Sequence, residues 1–557
     1  MNKQYKIKTA LLLLAAFALC CGAGANLNDR ELKAAEQITA KLSLEQKIGQ
    51  MLMPAIPGKK MNPAALAMLQ KYRPGGVILF GFNLGEAEDI GALTSALQKA
   101  SMENSGLPLL ISIDQEGGRV KRITSGVTQF PGNMAAGVAN DKDLAYKWGQ
   151  TLGLQLRTLG INMNLTPALD INNNAANPVI NTRSFGADVD TVSNMGAAYV
   201  KGLQKVGCLA SGKHFPGLGN SAVDNHHRLS IIDFDLPRIE AVELVPFQKA
   251  IDAGLDCMMT THAAFPNILG SRDSATISSF FTTELLKNKM KFGGLVITDD
   301  MEMGGLTKEF DIGYGAVLAV KAGADIVLLS SWGGSLQKIT DAILAEVKNG
   351  TISEDRINAS VQKIIGMKLK YGIADFSEGK VSFKAFTPSK KETALLEEAE
   401  ELNRKLTKAS ICYRGDVSLI APPKETVRVF VSANETFIKH LNLDSNDKVV
   451  ANFGGLAAAV SGLPSDTPII VYAERYTVGA GFCEAVRRAC GKRKVSVAVA
   501  VSGNPFPMLL AEDYDLLLMS FSDTAVSMEF LARAASGEYM PVLENKLLAT
   551  QPAPESK

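Results

Sequence analysis

Between residues 30 and 375, eight short apolar runs alternate with longer amphipathic stretches, and few architectures accommodate that alternation. The runs are 48–57, 76–80, 108–114, 161–170, 209–214, 257–262, 294–299 and 324–329. Stretches with helical spacing of apolar residues fall at 63–71, 89–102, 144–159, 192–206, 240–253 and 310–322. Strand-length runs with helix-length patterns between most of them predict a (β/α)8 TIM barrel spanning 26–375, with a doubly wound open sheet as the other solution. Five runs end in a polar side chain: Asp114, Asp170, His214, His262 and Asp299. In a barrel, C-terminal strand ends ring one face, so residues far apart in sequence would meet there.

After Tyr371 the pattern changes. Residues 376–391 are rich in Lys, Ser and Pro and are expected to form a linker. A charged amphipathic helix is expected over 392–410. Apolar runs at 427–431, 469–472, 495–501 and 516–520 follow, with helical patterns between them. They predict a smaller α/β sandwich domain over 392–557, built on a parallel sheet. Gly479-Ala480-Gly481 reads as a strand-to-helix turn rather than a nucleotide-binding motif.

The first residues have the form of an export signal. Lys3, Lys6 and Lys8 precede an apolar run over 10–20, and Ala23-Gly24-Ala25 fits a small-residue cleavage site, so 1–25 is expected to be a signal peptide. The alternative is lipid anchoring at Cys20 or Cys21, the one route to a membrane, although Phe17-Ala18-Leu19 suits it poorly. Export implies a periplasmic or extracellular location. Five cysteines follow, an odd number with no zinc spacing, and Cys208 and Cys257, in apolar strand-like segments, are expected to be buried thiols. Cys483 and Cys490 on one helix would stand ~10 Å apart, too far for a disulfide. The net charge of +1 gives no basic field for nucleic acid.

Chemistry concentrates in four segments. Three of the five histidines fall in Lys213-His214-Phe215-Pro216-Gly217-Leu218-Gly219-Asn220-Ser221-Ala222-Val223-Asp224-Asn225-His226-His227. Asp224 and His226 are two residues apart on a glycine-rich loop, where both side chains can point the same way. A carboxylate beside an imidazole sets its tautomer and stabilises its charged form, which makes it a proton shuttle. His214, His226 and His227 as zinc ligands are the rival reading, but no zinc motif has this spacing. The segment Val296-Ile297-Thr298-Asp299-Asp300-Met301-Glu302 ends an apolar strand in carboxylates. Asp299 suits a nucleophile, and one of Asp300 and Glu302 a cap or loop ligand. In Ile111-Ser112-Ile113-Asp114-Gln115-Glu116-Gly117-Gly118-Arg119-Val120-Lys121-Arg122, paired glycines would let the backbone approach a ligand, and Asp114 and Arg122 would hold hydroxyl groups. The fourth segment, Asn177-Pro178-Val179-Ile180-Asn181-Thr182-Arg183-Ser184-Phe185-Gly186, offers Arg183.

In this order and spacing, D-Q-E-G-G-R-V-x-R, N-P-V-I-x-x-R-S-F-G, K-H-F-P-G-x-G, D-x-H and D-D-x-x-M resemble the family-3 glycoside hydrolases, and within them the bacterial β-N-acetylglucosaminidases. The resemblance implies a retaining exo-β-N-acetylglucosaminidase that needs no cofactor or metal. It implies Asp299 as nucleophile, His226 as acid/base, and Asp224 orienting and charging His226. Asp114, Arg122, Arg183, Lys213 and His214 would grip a terminal N-acetylglucosamine. Export points to peptidoglycan fragments or chitin-type oligosaccharides as substrates. Leu218 stands where that subgroup often has His, and Asn220 where it often has Asp, which bears on the loop's fine geometry. A β-glucosidase or xylosidase of the same fold, and a non-catalytic envelope protein that binds sugars, are the alternatives.

Overall fold

The computed structural model describes residues 27–423, 426–474, 479–491 and 495–543. The expected signal peptide, with Cys20 and Cys21, lies outside them. Among the described residues, eight parallel strands form the first sheet system: β1 (Leu52–Pro54), β2 (Gly76–Leu79), β3 (Leu110–Ile113), β4 (Met163–Asn164), β5 (Leu209–Phe215), β6 (Cys257–Thr260), β7 (Leu295–Ile297) and β8 (Val327–Leu329). Strands β2 to β7 pair in chain order, and β1 pairs with β8. Single bridges, Ala55 to Ile78 and Ile297 to Ile326, connect the two sets, so the pairings return to their start. This is a curled parallel sheet of the TIM-like kind.

The helices that cover it begin and end where local chemistry dictates. Asn62 caps the Pro63–Tyr72 helix, and Asp141 caps Lys142–Thr158. The Lys142–Thr158 and Val189–Lys205 helices pack closely because two glycines permit it. A Cβ on Gly149 would lie 2.4 Å from the Tyr199 carbonyl oxygen, and one on Gly202 only 2.0 Å from that of Tyr146. Between them Trp148 and Tyr199 are buried edge to face, with centroids 4.6 Å apart.

Three sequence expectations need correction. The start of the 48–57 run belongs to the helix Leu44–Gln50, whose Ser43–Gln46 capping box fixes its first turn. The 240–253 stretch is two helices, Leu236–Ala241 and Leu244–Asp252, with Val242 outside helical geometry between them. The stretch expected to be a linker carries a β-hairpin, Ala374–Ser377 with Lys380–Phe383, turned by Glu378 and Gly379, both at positive φ.

The expected 392–410 helix is present as Lys390–Glu397 and Ala399–Ser410. The second sheet follows, with seven strands among the described residues. Its order is Lys448–Val450, Val429–Val431, Ile469–Glu474, Val497–Ser502, Leu516–Met519, Cys412–Gly415 and Val542–Leu543. The pairing of Cys412–Gly415 with Leu516–Met519 is antiparallel and the other pairings are parallel. One face of this sheet shares its hydrophobic core with Met134, Ala135 and Val138 of the helix Asn133–Ala139 and with Ala175 of the loop after β4. Lys121 and Asp523 add an ion pair across the same seam at 3.4 Å. The five described cysteines are buried and unpaired with one another.

Candidate active site

The site is built on strand ends. Beyond β3, the loop carrying Asp114 is folded around Gln115. Its backbone exchanges hydrogen bonds with the Asn164 amide, and its side chain accepts from the N–H groups of Arg122 and Ile123 and donates to the Ile123 carbonyl. Gly117 and Gly118 have φ of 79° and 54°. The close approach they permit is to the chain itself rather than to a ligand: a Cβ on Gly118 would stand 2.7 Å from the Pro131 carbonyl oxygen.

Charges alternate along the floor of the site. Lys213, buried at β5, places Nζ 2.7 Å from Asp114 Oδ1 and 2.7 Å from Glu116 Oε1. Arg183 forks the same Glu116 at 3.0 and 2.8 Å. One of its nitrogens also lies 3.3 Å from His214 Nε2. Guanidinium only donates, so Nε2 accepts and Nδ1 donates to Asp170 Oδ2 at 2.8 Å. Asp170 also accepts the backbone N–H of Leu218 at 2.6 Å. Burial alone would push Asp114 and Glu116 up, but the Lys213, Arg122 and Arg183 charges outweigh it and hold both carboxyls below the usual carboxylate range. Burial disfavours the Arg183 charge as well, and Glu116 more than compensates. Asp114, Glu116 and Arg183 are therefore charged near neutral pH.

The loop bearing Asp224 and His226 is pinned from both sides. Asn177 donates to the carbonyls of Leu218 and Gly219, and Asn174 to those of Asn220 and Ser221. Leu218 is buried, and the Asn220 amide donates to Asn173, so the two residues that depart from the subgroup pattern both act inside the loop. On the other side, Gly304 donates its N–H to the His226 carbonyl at 2.9 Å, and Gly305 donates to that of Asn225 at 3.0 Å. Asp224 Oδ1 lies 2.7 Å from His226 Nδ1 and accepts the His226 backbone N–H at 2.9 Å. The His226 side chain is 56% exposed and that of Asp224 34%, so the pair stands at the mouth. Burial raises the Asp224 carboxyl, but the His226 hydrogen bonds hold it below its ordinary value. His227 is exposed and does not line the pocket.

Asp299 follows β7 and accepts the N–H of Asp300 at 2.9 Å. The two acidic residues beside it both bind loop groups, where the sequence reading assigned that role to one. Asp300 accepts the N–H groups of Ser330 and Glu302, and Glu302 accepts the hydroxyls of Ser330 and Ser331. Burial raises the Asp300 carboxyl. His262 is fully buried, which lowers its pKa, and its Nε2 lies 3.0 Å from the Asp300 carbonyl.

Asp114, Arg122, Arg183, Lys213, His214, Asp224, His226 and Asp299 all line one cavity of about 460 Å³ on the C-terminal face of the strands. Asn225, Asp300, Arg119, Phe80 and Met303 line it too. Sequence reasoning passed over Glu116, although it lay inside a quoted motif, and Asn225, whose buried amide has no hydrogen-bond partner among the described residues. No group of three or more His, Cys, Asp or Glu suited to a metal ion occurs among the described residues.

Carboxylates and an imidazole around a polar cavity at the C-terminal ends of a curled parallel sheet suit a glycoside hydrolase. The Glycosyl hydrolase family 3 N terminal domain matches residues 43–367, and the chain belongs to that family. "Beta-hexosaminidase A" of Pseudoalteromonas piscicida is 34% identical over 336 residues, which span 56% of this chain and 56% of that protein. An "Uncharacterized secreted glycosyl hydrolase" of Arthroderma benhamiae is 32% identical over 341 residues, 60% of this chain and 96% of its own length. The solved family-3 β-N-acetylglucosaminidase of Paenibacillus sp. str. FPU-7 superposes with a TM-score of 0.78 at 31% identity, covering 92% of this chain and all of that one.

Proposed function

We propose that this chain is an exported, retaining exo-β-N-acetylglucosaminidase that releases terminal N-acetylglucosamine from peptidoglycan fragments or chitin-type oligosaccharides. Its chemistry would take place on a (β/α)8 barrel domain of residues 26–375, with residues 392–557 as a C-terminal α/β sandwich domain. The observation that carries this reading is that Asp299 and the Asp224–His226 pair face one polar, sugar-sized cavity.

Asp299 attacks the anomeric carbon while His226, as imidazolium, protonates the leaving oxygen. The C1–oxygen bond breaks as the Asp299–C1 bond forms. His226, now neutral, takes a proton from water, which attacks C1 and frees Asp299 with the β configuration kept. Asp224 stabilises the imidazolium and fixes the ring by its hydrogen bond to Nδ1, leaving Nε2 for the proton in flight. Asp114, Arg122, Arg183, Lys213 and His214 hold the hydroxyls of the terminal sugar. The N-terminal basic and apolar run supports export, as does the naming of the Arthroderma benhamiae relative as a secreted glycosyl hydrolase. Among the described residues, no helix is long and apolar enough to cross a membrane.

The test is hydrolysis of aryl N-acetyl-β-glucosaminide against aryl β-glucoside, with muropeptide and chitobiose products read by mass spectrometry. Preference for the N-acetylglucosaminide is expected, with the β anomer formed first. A faster glucoside reaction, or binding without release of N-acetylglucosamine, overturns the reading. Asp299→Asn should abolish turnover and labelling by a fluorinated sugar inactivator.

A further inference from the structure

At the edge of the cavity three aromatic rings run outward in a row. Phe80 belongs to the cavity wall, with the Arg122 guanidinium 5.9 Å over its ring. Phe82 stacks on Phe80 with centroids 5.8 Å apart and planes at 15°. Trp332 stands 6.1 Å beyond Phe82, tilted by 52°. Phe82 is 49% exposed and Trp332 37%, whereas the chain's other tryptophan, Trp148, is wholly buried.

Both outer rings sit on pinned loops. Next to Phe82, the buried Asn83 donates to the carbonyls of Ile56 and Gly58 and accepts the Phe80 N–H. Just before Trp332, Ser330 and Ser331 are bound by Asp300 and Glu302, from the loop that carries Asp299. Large aromatic faces left in water on fixed loops mark a binding surface, because neither ring stabilises the core from there.

We propose that Phe82 and Trp332 form a subsite for the leaving-group sugar, the pyranose ring joined through oxygen to the anomeric carbon of the residue in the cavity. The proposal rests on the glycosidase reading above. One face of a pyranose presents only C–H groups, while its hydroxyls lie around the rim. That face packs on an aromatic ring and leaves the hydroxyls in water. The charged floor serves the terminal sugar's hydroxyls, and the aromatic row begins where the polar lining ends. The subsite therefore favours substrates of two or more rings over small aglycones.

Wild type, Phe82→Ala and Trp332→Ala are compared on chitobiose and on N-acetyl-β-glucosaminyl azide, whose leaving group has no ring. The ratio of kcat/KM for chitobiose to that for the azide should fall roughly threefold to tenfold per ring removed, mainly through KM. Trp332→Phe should retain most of the ratio. An unchanged ratio in both variants overturns the proposal. A second measurement needs no turnover. In Asp299→Asn, saturating chitobiose should shift the emission of Trp332, and a further Trp332→Phe change should remove the response. Absence of any shift overturns the subsite independently. If wild type releases no N-acetylglucosamine from either compound, the glycosidase reading fails, and the emission titration still decides the subsite.

Discussion

The backbone N–H of Gly304 donates to the carbonyl of His226 at 2.9 Å, which ties the loop after β7 to the proposed acid/base loop. The contact has no room for a side chain. A Cβ at residue 304 would lie 2.5 Å from the His227 carbonyl oxygen and 3.0 Å from that of His226. Gly304→Ala must therefore displace the His226 backbone relative to the loop that carries Asp299. A displacement near 1 Å commonly lowers turnover about 10²-fold. The expected result is a kcat reduced by about 10- to 100-fold with little change in far-UV circular dichroism, read on an aryl N-acetyl-β-glucosaminide.

His226→Ala separates proton donation from binding. General acid help is worth about 10²–10⁴ in rate and matters most for a poor leaving group. Turnover of chitobiose should fall in that range, while cleavage of the glycosidic bond of a dinitrophenyl glycoside, read as the pre-steady-state burst, should be nearly spared. Equal losses on the two substrates would remove His226 from the role.

Glu116 holds two buried cations, Arg183 and Lys213. Replacing one member of such a network leaves charge uncompensated, at a cost of about 3–5 kcal/mol. Glu116→Gln should therefore lower Tm by several degrees at pH 7. The carboxyl lies below its ordinary value of 4.5 in the folded chain, so the unfolded chain binds its proton first as pH falls. The stability it contributes is present above about pH 4.5 and is lost progressively below it. Wild type should lose Tm below that pH, and Glu116→Gln should lose less of it, as measured by calorimetry between pH 3 and 7.

Lys368 is a buried lysine whose side-chain partner among the described residues is the Gln50 amide oxygen at 2.8 Å. Burial pushes it down to about 7 from 10.5. Between those values the unfolded chain binds the extra proton, so this residue makes stability rise with pH from about 7 to 10.5. Lys368→Met keeps the volume and removes the charge. It should raise Tm at pH 7 and flatten the rise toward pH 10, read by thermal melts across that interval.

Strand ends were the most legible feature of the sequence. Asp114, His214 and Asp299 close apolar runs, and a run's length marks its end wherever the strand begins. The start of a run carries less information: Ile48-Gly49-Gln50 leads directly into the apolar residues 51–53, yet the Ser43–Gln46 capping box draws it into a helix. The candidate site was legible in its residues but not in their partners. Nothing near Glu116 in sequence shows that Lys213 and Arg183 will close on it, because those contacts span 97 and 67 positions. Phe82 and Trp332 were invisible for the same reason: each is an ordinary loop aromatic until the fold brings them 6.1 Å apart.

The core that the second sheet shares with Met134, Ala135, Val138 and Ala175 limits how the chain can be divided. Met134, Ala135 and Val138 belong to the scaffold of the site, since Asn133 in the same helix donates to the Arg183 carbonyl at 2.6 Å. A fragment ending near residue 391 would present them to solvent as a sticky, unsupported patch beside Arg183. Trimming this protein to a minimal enzyme would thus sacrifice solubility and the footing of a cavity-lining arginine in a single cut.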